Sequence, residues 1–549
     1  MDYTTSYGSP VNYPHAAQRV SPTGPLLLQD FHAIDNLAHL ARERIPERLV
    51  HAKGAGAYGY FEVTHDLSDI TSQTLFHIPE GQTGAKVDAT IRFSTVAGES
   101  GSADTARDIH GFAIKLRTDQ GNLDWVLLDT PTFFIRDPAK YPDLVHATKR
   151  HPQTNLKDPD MFWDFFSQNP ETVHQIMMLF SDRGTPDGFH QTHGHSGTTF
   201  KFVKKLDTSP TATSFVYFKL HVRTKKFKTL TSAEATRLAG EDPDYGTRKL
   251  YDAIECGDYP EYTVYIQTMT PEQQAQSEYY QRITFDVTKV WPYKEFPLRE
   301  IGKLVLNRNP VNYFDEIEQL SYAPSRLIPY IETSPDPLLQ SRLFIYPDTQ
   351  RYRLGVNNQQ LPTNAPIVKV ANYQRAGAAS YVSQGSRPNF QSSTNQLQFD
   401  GPIEAIDSQI NDNQRQEVFH GTVYRELTTI TPFDFVQPRA LWLLWTEDEQ
   451  ETFVQNVTEN LKLVKNIDIL VAQIRVFLEV SPTLALKIWL AIYQILWDSW
   501  TETQKEVFFE LLVEIILRLH PPFNFEEQLS VLPEHMVNNV KESLRQRSQ

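Results

Sequence analysis

Between residues 58 and 306 the chain repeatedly alternates apolar and polar side chains over short runs, and a run of period two can bury one face only as a strand. Ala89-Thr90-Ile91-Arg92-Phe93-Ser94-Thr95-Val96 is one such run and Ser214-Phe215-Val216-Tyr217-Phe218-Lys219-Leu220-His221-Val222 another. Helical inserts separate them. From about residue 309 to 423 periodicity fades and Pro, Asn, Gln and Ser dominate, loosest over residues 377–413. Beyond residue 433 the period becomes helical, with helices expected over 446–465, 471–480, 484–497 and 501–519. An earlier helix is expected over 31–44, with Ile34, Leu37, Leu40 and Ala41 on one side. Strands first and helices last predict an α+β protein. Its expected units are an arm with the first helix (1–50), a strand-rich body (51–308), a wrapping segment (309–430) and a helical domain (431–549).

A chain of 549 residues can bury a large core. Its net charge of −15 argues against a nucleic-acid surface and against anionic lipid. One cysteine, Cys256, excludes an internal disulfide, a Cys-rich zinc site and an iron–sulfur cluster. The polar start has no basic-then-apolar signal, and the end, Arg547-Ser548-Gln549, is not a Ser-Lys-Leu peroxisomal address. The most apolar stretch, 484–497, is interrupted by Lys487 and Gln494 and is too short to span a bilayer. A soluble, cytoplasmic protein is expected, with the peroxisome as the alternative despite the missing address, and with no nucleic-acid partner and no transmembrane segment. The aromatic residues near that stretch, Trp489, Trp497, Trp500, Phe508 and Phe509, are expected to pack inside the helical domain.

Arg342 and Tyr346 are four residues apart. If the segment is helical up to Pro347, the guanidinium stacks against the phenol on one face. A permanent cation favours the phenolate, a hard anionic oxygen suited to ferric iron. In the run at 89–96, Arg92, Ser94 and Val96 share one face while Ile91 and Phe93 share the apolar one. A buried polar face needs a polar purpose. Gly54-Ala55-Gly56-Ala57-Tyr58-Gly59 matches a dinucleotide fingerprint but precedes the strand-like Tyr60-Phe61-Glu62-Val63-Thr64, so that reading fails. His190, His193 and His195, near Asp187, have metal-like spacing without a cysteine nearby, and zinc is not expected.

The segment Arg342-Leu343-Phe344-Ile345-Tyr346-Pro347-Asp348-Thr349-Gln350-Arg351-Tyr352-Arg353-Leu354-Gly355 resembles the proximal haem-ligand motif of the monofunctional haem catalases. Glu43-Arg44-Ile45-Pro46-Glu47-Arg48-Leu49-Val50-His51-Ala52-Lys53-Gly54 resembles that family's distal-histidine signature. Arg92-Phe93-Ser94-Thr95-Val96-Ala97-Gly98-Glu99-Ser100 and Leu304-Val305-Leu306-Asn307-Arg308-Asn309-Pro310 are similar to it as well. The resemblance is strong over about residues 25–375. It implies an antiparallel β-barrel, haem (b or modified) and its iron, and dismutation of hydrogen peroxide to water and oxygen. It implies Tyr346 as iron ligand held as phenolate by Arg342. Arg48, Arg92 and Arg353 fall to the propionates, and Val50 and Phe133 to haem contact. His51 and Ser94 are the implied catalytic pair, and Val96 and Asp108 the channel. It suggests a homotetramer. His174, Ser181, Arg183 and Arg223 fall on an NADPH site that many members hold, while Met178, His193 and Tyr293 replace commoner residues there.

The chain also departs from the family. Where catalases read Asn-Asn-Thr-Pro-x-Phe-Phe, it reads Leu128-Asp129-Thr130-Pro131-Thr132-Phe133-Phe134. The first asparagine is the distal amide, and leucine cannot donate a hydrogen bond. Reduced activity is expected. A related haem enzyme acting on organic hydroperoxides, or a non-catalytic haem-binding protein, is the alternative; Val50 favours hydrogen peroxide. Tyr141 stands where a phenylalanine is usual, and Gln350 where a histidine is frequent at the haem edge.

Overall fold

The computed structural model describes residues 2–206, 213–397, 421–519, 524 and 528–547. The loosest stretch expected from sequence lies outside the described residues from 398 on, as do the last two residues of the chain.

Among the described residues ten strands form one antiparallel sheet: β1 (Gly54–Val63), β2 (Lys86–Thr95), β3 (His110–Thr118), β4 (Gly121–Leu128), β5 (Gly194–His195), β6 (Phe200–Lys205), β7 (Thr213–Thr224), β8 (Glu261–Met269), β9 (Arg299–Arg308) and β10 (Ile331–Thr333). Their order is β10-β6-β7-β5-β4-β3-β2-β1-β9-β8, and β7 also pairs with β8. Eight strands therefore close on themselves, with β6 and β10 extending from β7, and closure removes the free edges of the ring. The expected barrel is present. The glycine-rich run is strand β1, not a phosphate loop. Gly59 allows the bulge that brings β1 against β9, since a Cβ there would sit 1.8 Å from the Val305 carbonyl oxygen.

Alternation sorts the two faces of β2 as read. Ile91 and Phe93 are fully buried in the barrel core with Phe61, Phe112 and Ile114. Arg92 and Ser94 point to the outer face, yet they too are buried, at 4% and 3% exposure. The segment just before β1 crosses them, with His51 and Ala52 in contact, and the helix Pro337–Leu354 stands across the adjoining cavity. This helix begins at Asp336, whose carboxylate accepts from the backbone N–H of Leu338 and Leu339, and ends at Gly355 with φ 101°. It does not stop at Pro347. That proline forfeits one ladder bond, and the capped start and later side-chain ties carry the helix past it.

The helical domain holds Glu447–Leu461, Ile467–Val480, Pro482–Leu496 and Glu502–Arg518 near their expected places, with a further helix at Glu534–Arg547. Trp489 is buried, stacked on Phe508 at 4.7 Å, and its indole N–H donates to the Phe508 carbonyl at 2.8 Å. The apolar stretch is thus interior packing. No helix among the described residues is long and apolar enough to cross a membrane. Helix Glu447–Leu461 docks on the barrel's helical inserts, where Asn456 donates to the Phe180 carbonyl at 2.9 Å and Asn460 accepts from the Trp163 indole at 2.8 Å.

The first helix, Phe31–Leu40, is shorter than expected and buries no residue in this chain; Leu37 and Leu40 are 63% and 64% exposed.

Candidate active site

The residues just before β1 cross the outer face of β2 and are pinned there. The His51 backbone N–H donates to the Val96 carbonyl at 3.0 Å. The two terminal nitrogens of Arg92 donate to the carbonyls of His51, at 2.7 Å, and Ala52, at 3.0 Å. These bonds hold His51 at φ 63°, a left-handed backbone that costs a residue with a Cβ about 1–3 kcal/mol. The result aims the ring at Ser94, with Nδ1 and Oγ 2.9 Å apart.

Gly111 on β3 is opposite Ser94, and a Cβ there would lie 2.6 Å from both His51 Nδ1 and Ser94 Oγ. Gly111→Ala is expected to destabilise by about 1–3 kcal/mol through overpacking, read as a lower denaturation midpoint, with the His51 ring displaced. An unchanged midpoint would mean the ring yields freely.

Burial, then the charges of Arg92, Arg48 and Arg342, push the His51 imidazole down to about 3. Burial also lowers His174 to about 4 and His221 to about 3. These rings are neutral when folded. On unfolding they would take up protons below the ordinary value of 6.5. Their contribution is therefore intact above pH 6.5 and is lost as the pH falls toward 4 and then 3. The thermal midpoint is expected to fall continuously on acidification through that window; a flat profile would contradict the burial argument.

Arg342 and Tyr346 lie on one face of the helix Pro337–Leu354. The guanidinium sits over the ring at 5.3 Å from its centroid, with Nη2 3.4 Å from the phenol oxygen. Arg342 also donates to Thr198 Oγ1 at 2.9 Å and to the Val126 carbonyl at 3.0 Å, so the barrel wall fixes it. Its neighbours come from β4 and from the turn before β6, which sequence spacing does not reveal.

At one edge of the site Arg48 and Arg353 gather around a single carboxylate, Glu318, with the charge of Arg92 close enough to repel both. Arg48 and Arg353 approach it at 3.3 and 3.4 Å and also donate to the carbonyls of Glu318 and Leu320. Burial and mutual repulsion lower Arg48, and Arg353 falls to about 10. Three cations against one anion leave two positive charges uncompensated. The Nε atoms of Arg92 and Arg353 are buried with no partner among the described residues. Such an edge suits a group bearing two carboxylates. Gln350, buried beside it, presents an unpartnered Oε1.

Two adjoining cavities meet here. Val50, His51, Tyr141 and Tyr346 line both. The smaller one reaches Arg48, Arg92, Ser94, Tyr322 and Gln350. The larger continues past Val96, Asp108, Leu128 and Phe133. Asp108 is not a surface carboxylate: it accepts from the backbone N–H of Ala97 at 2.6 Å and of Ile109 at 2.8 Å, and burial pushes its carboxyl up. Leu128 ends β4 and faces the larger cavity. Asp129 does not take its place; its carboxylate accepts from the His110 backbone N–H at 2.9 Å and lies 3.2 Å from the His110 ring. Sequence reading missed Glu318, Gly111, Thr198 and Tyr322, and no local signal marks them.

The NADPH-like set converges only in part. Arg183 lies over the Phe227 ring at 5.7 Å, His193 stacks on the same ring at 4.5 Å, and Arg223 donates to the Tyr293 hydroxyl at 2.7 Å. Ser181 donates to the Met178 carbonyl. His174 turns inward, 3.0 Å from the Thr288 carbonyl oxygen. Of the three clustered histidines, His193 and His195 stay close, with ring centroids 6.2 Å apart. His195 meets His221, with the Nδ1 atoms 2.7 Å apart. Among the described residues no group of three His, Cys, Asp or Glu is placed to hold a metal ion.

A family model described as Catalase matches residues 4–397, and one described as Catalase-related immune-responsive matches residues 432–491. The chain is similar to the peroxisomal catalase of Candida albicans, 47% identical over 461 residues, or 83% of this chain and 91% of the relative. It is similar to peroxisomal catalase A of Saccharomyces cerevisiae, 47% identical over 450 residues, 80% of this chain and 83% of that one. The catalase of Cavia porcellus is 48% identical over 469 residues, 84% of each. Among solved structures, a fungal catalase superposes with a TM-score of 0.83 at 43% identity, covering 90% of this chain and 97% of its own. The relatives correct the expected location: several are named peroxisomal catalases, which points to the peroxisome and not the cytoplasm.

Proposed function

Because this chain belongs to the catalase family, we propose that it holds a haem between His51 and Tyr346 and turns hydrogen peroxide into water and oxygen there. The observation that carries this is the pairing of Arg342 with Tyr346 on one side of the cavity and of His51 with Ser94 on the other. Tyr346 would ligate the iron, with the Arg342 guanidinium set over its ring. Arg48, Arg92 and Arg353 take the two propionates, which supply the negative charge that Glu318 alone does not. Val50 and Phe133 contact the haem, and Val96 and Asp108 line the way in.

The haem supplies the redox centre at which one peroxide is reduced and a second oxidised. The chain supplies proton transfer. His51, neutral at working pH, takes the proton of the near peroxide oxygen and returns it to the leaving one. With Nδ1–H donated to Ser94, Nε2 is left bare to act as the base.

Leu128 takes one hydrogen-bond donor out of the cavity wall. Activity is expected below that of a relative with the amide, and Leu128→Asn is expected to raise it. The gain is about a hundred- to a thousandfold if no other donor serves, and small if one does. An unchanged rate would remove the defect. Oxygen evolution from peroxide by the purified holoprotein tests the main reading. The apolar wall around Leu128 favours a second one, organic hydroperoxides as substrate, selected if such a compound is consumed and no oxygen appears.

Arg183 and Arg223 are the pair to which an NADPH phosphate would bind; nucleotide released from the purified protein is the check. The exposed apolar side of Phe31–Leu40 supports assembly into a homotetramer through the arms.

A further inference from the structure

Leu128 removes a donor from the wall of the larger cavity, and most donors that remain there are already engaged. Thr132 donates to Gln175 Oε1 at 2.6 Å and Thr130 to the Thr132 carbonyl at 3.1 Å. Arg107 is tied to the carbonyls of Leu179 and Ser181, and Thr148 donates to the Val145 carbonyl at 2.9 Å.

Tyr141 is different. It lines both cavities, in company with His51 and Leu128 in one and with His51 and Tyr346 in the other. The short turn Pro138–Lys140 and the helix Tyr141–Thr148 fix its backbone. Its ring packs against the core that also takes up Leu128 and Phe133. Its hydroxyl makes no hydrogen bond to any described residue. A phenylalanine, usual in the family at this position, would pack equally well, so packing does not account for the oxygen. The hydroxyl borders both cavities and is free to donate to an occupant that accepts a hydrogen bond. A tyrosine phenol is protonated at working pH, so it can donate to such an acceptor.

Resting on the catalase reading, we propose that the Tyr141 hydroxyl donates to the bound peroxide the hydrogen bond that an asparagine amide at position 128 gives in the family. The donor has moved from the end of β4 to the start of the next helix. The site then orients peroxide between two groups, His51 for the proton and Tyr141 for the oxygen that is not being deprotonated.

The test uses the holoprotein and two readouts. Tyr141→Phe is expected to keep the Soret band and lower kcat by about a hundredfold. It is also expected to weaken fluoride binding to the ferric haem about tenfold, because bound fluoride accepts from a distal donor. Leu128→Asn placed in the Tyr141→Phe background should recover most of both losses, while in the unsubstituted protein it should change fluoride affinity little. Values of kcat and fluoride affinity within about twofold of the unsubstituted protein in Tyr141→Phe overturn the proposal. Should Tyr141→Phe fail to hold haem, a roughly tenfold gain in fluoride affinity from Leu128→Asn alone overturns it, and the absence of a gain supports it. A native holoprotein that evolves no oxygen, yet whose fluoride affinity depends on Tyr141, defeats the catalase reading and leaves the donor in place.

Discussion

Tyr346→Phe is expected to yield a folded protein that retains almost no haem. The substitution keeps the ring and removes one oxygen, so packing between the helix Pro337–Leu354 and the barrel is preserved. What it removes is the only atom of that side chain able to bind iron. Losing a partner one shell out from a metal typically weakens retention about 10–100-fold, and losing the ligand itself should exceed that. Arg342→Leu supplies the comparison. It leaves the phenol but strips its cation and the ties to Thr198 and Val126, so an intermediate loss is expected. The measurement is the Soret absorbance per protein after reconstitution and gel filtration. A Tyr346→Phe protein that holds haem as the unsubstituted chain does would exclude this tyrosine as the ligand.

His51→Asn is expected to behave in the opposite manner, keeping haem and losing turnover. General acid–base transfer contributes about 10²–10⁴-fold to a rate, and asparagine cannot take up a proton near neutral pH. Asparagine also tolerates a left-handed backbone better than most residues, so the φ of 63° at this position need not be lost with the imidazole. The test is peroxide turnover per haem. A drop smaller than about tenfold would assign the proton transfer elsewhere. For the unsubstituted enzyme, the imidazole is held down to about 3, so protonation of His51 should not limit the rate as the pH falls from 7 toward about 5. The acid limb should instead follow loss of the fold.

The two variants divide the site as the chain divides it. Tyr346 and Arg342 sit on one helix, four residues apart, and that pairing could be read directly because helical periodicity is a local property. The same holds for β2, where the period-two pattern sorted Ile91 and Phe93 from Arg92 and Ser94 before any fold was known. Pro347 misled for a related reason: its local cost is real, but capping at Asp336 and ties such as Arg353 to Glu318 outweigh it, and those come from elsewhere in the chain.

By itself, then, the order of residues determined the main strands and the C-terminal helices, since each of these rests on neighbours a few positions away. The tertiary structure alone decided what the side chains of the site meet. Glu318 lies 270 residues from Arg48 yet holds it; Gly111 makes room for His51; Asp129 turns to His110 and so does not stand in for the donor missing at Leu128. These depend on barrel closure and on the segment that wraps it, and contacts across such distances are set by the packing of whole elements, which no local pattern encodes.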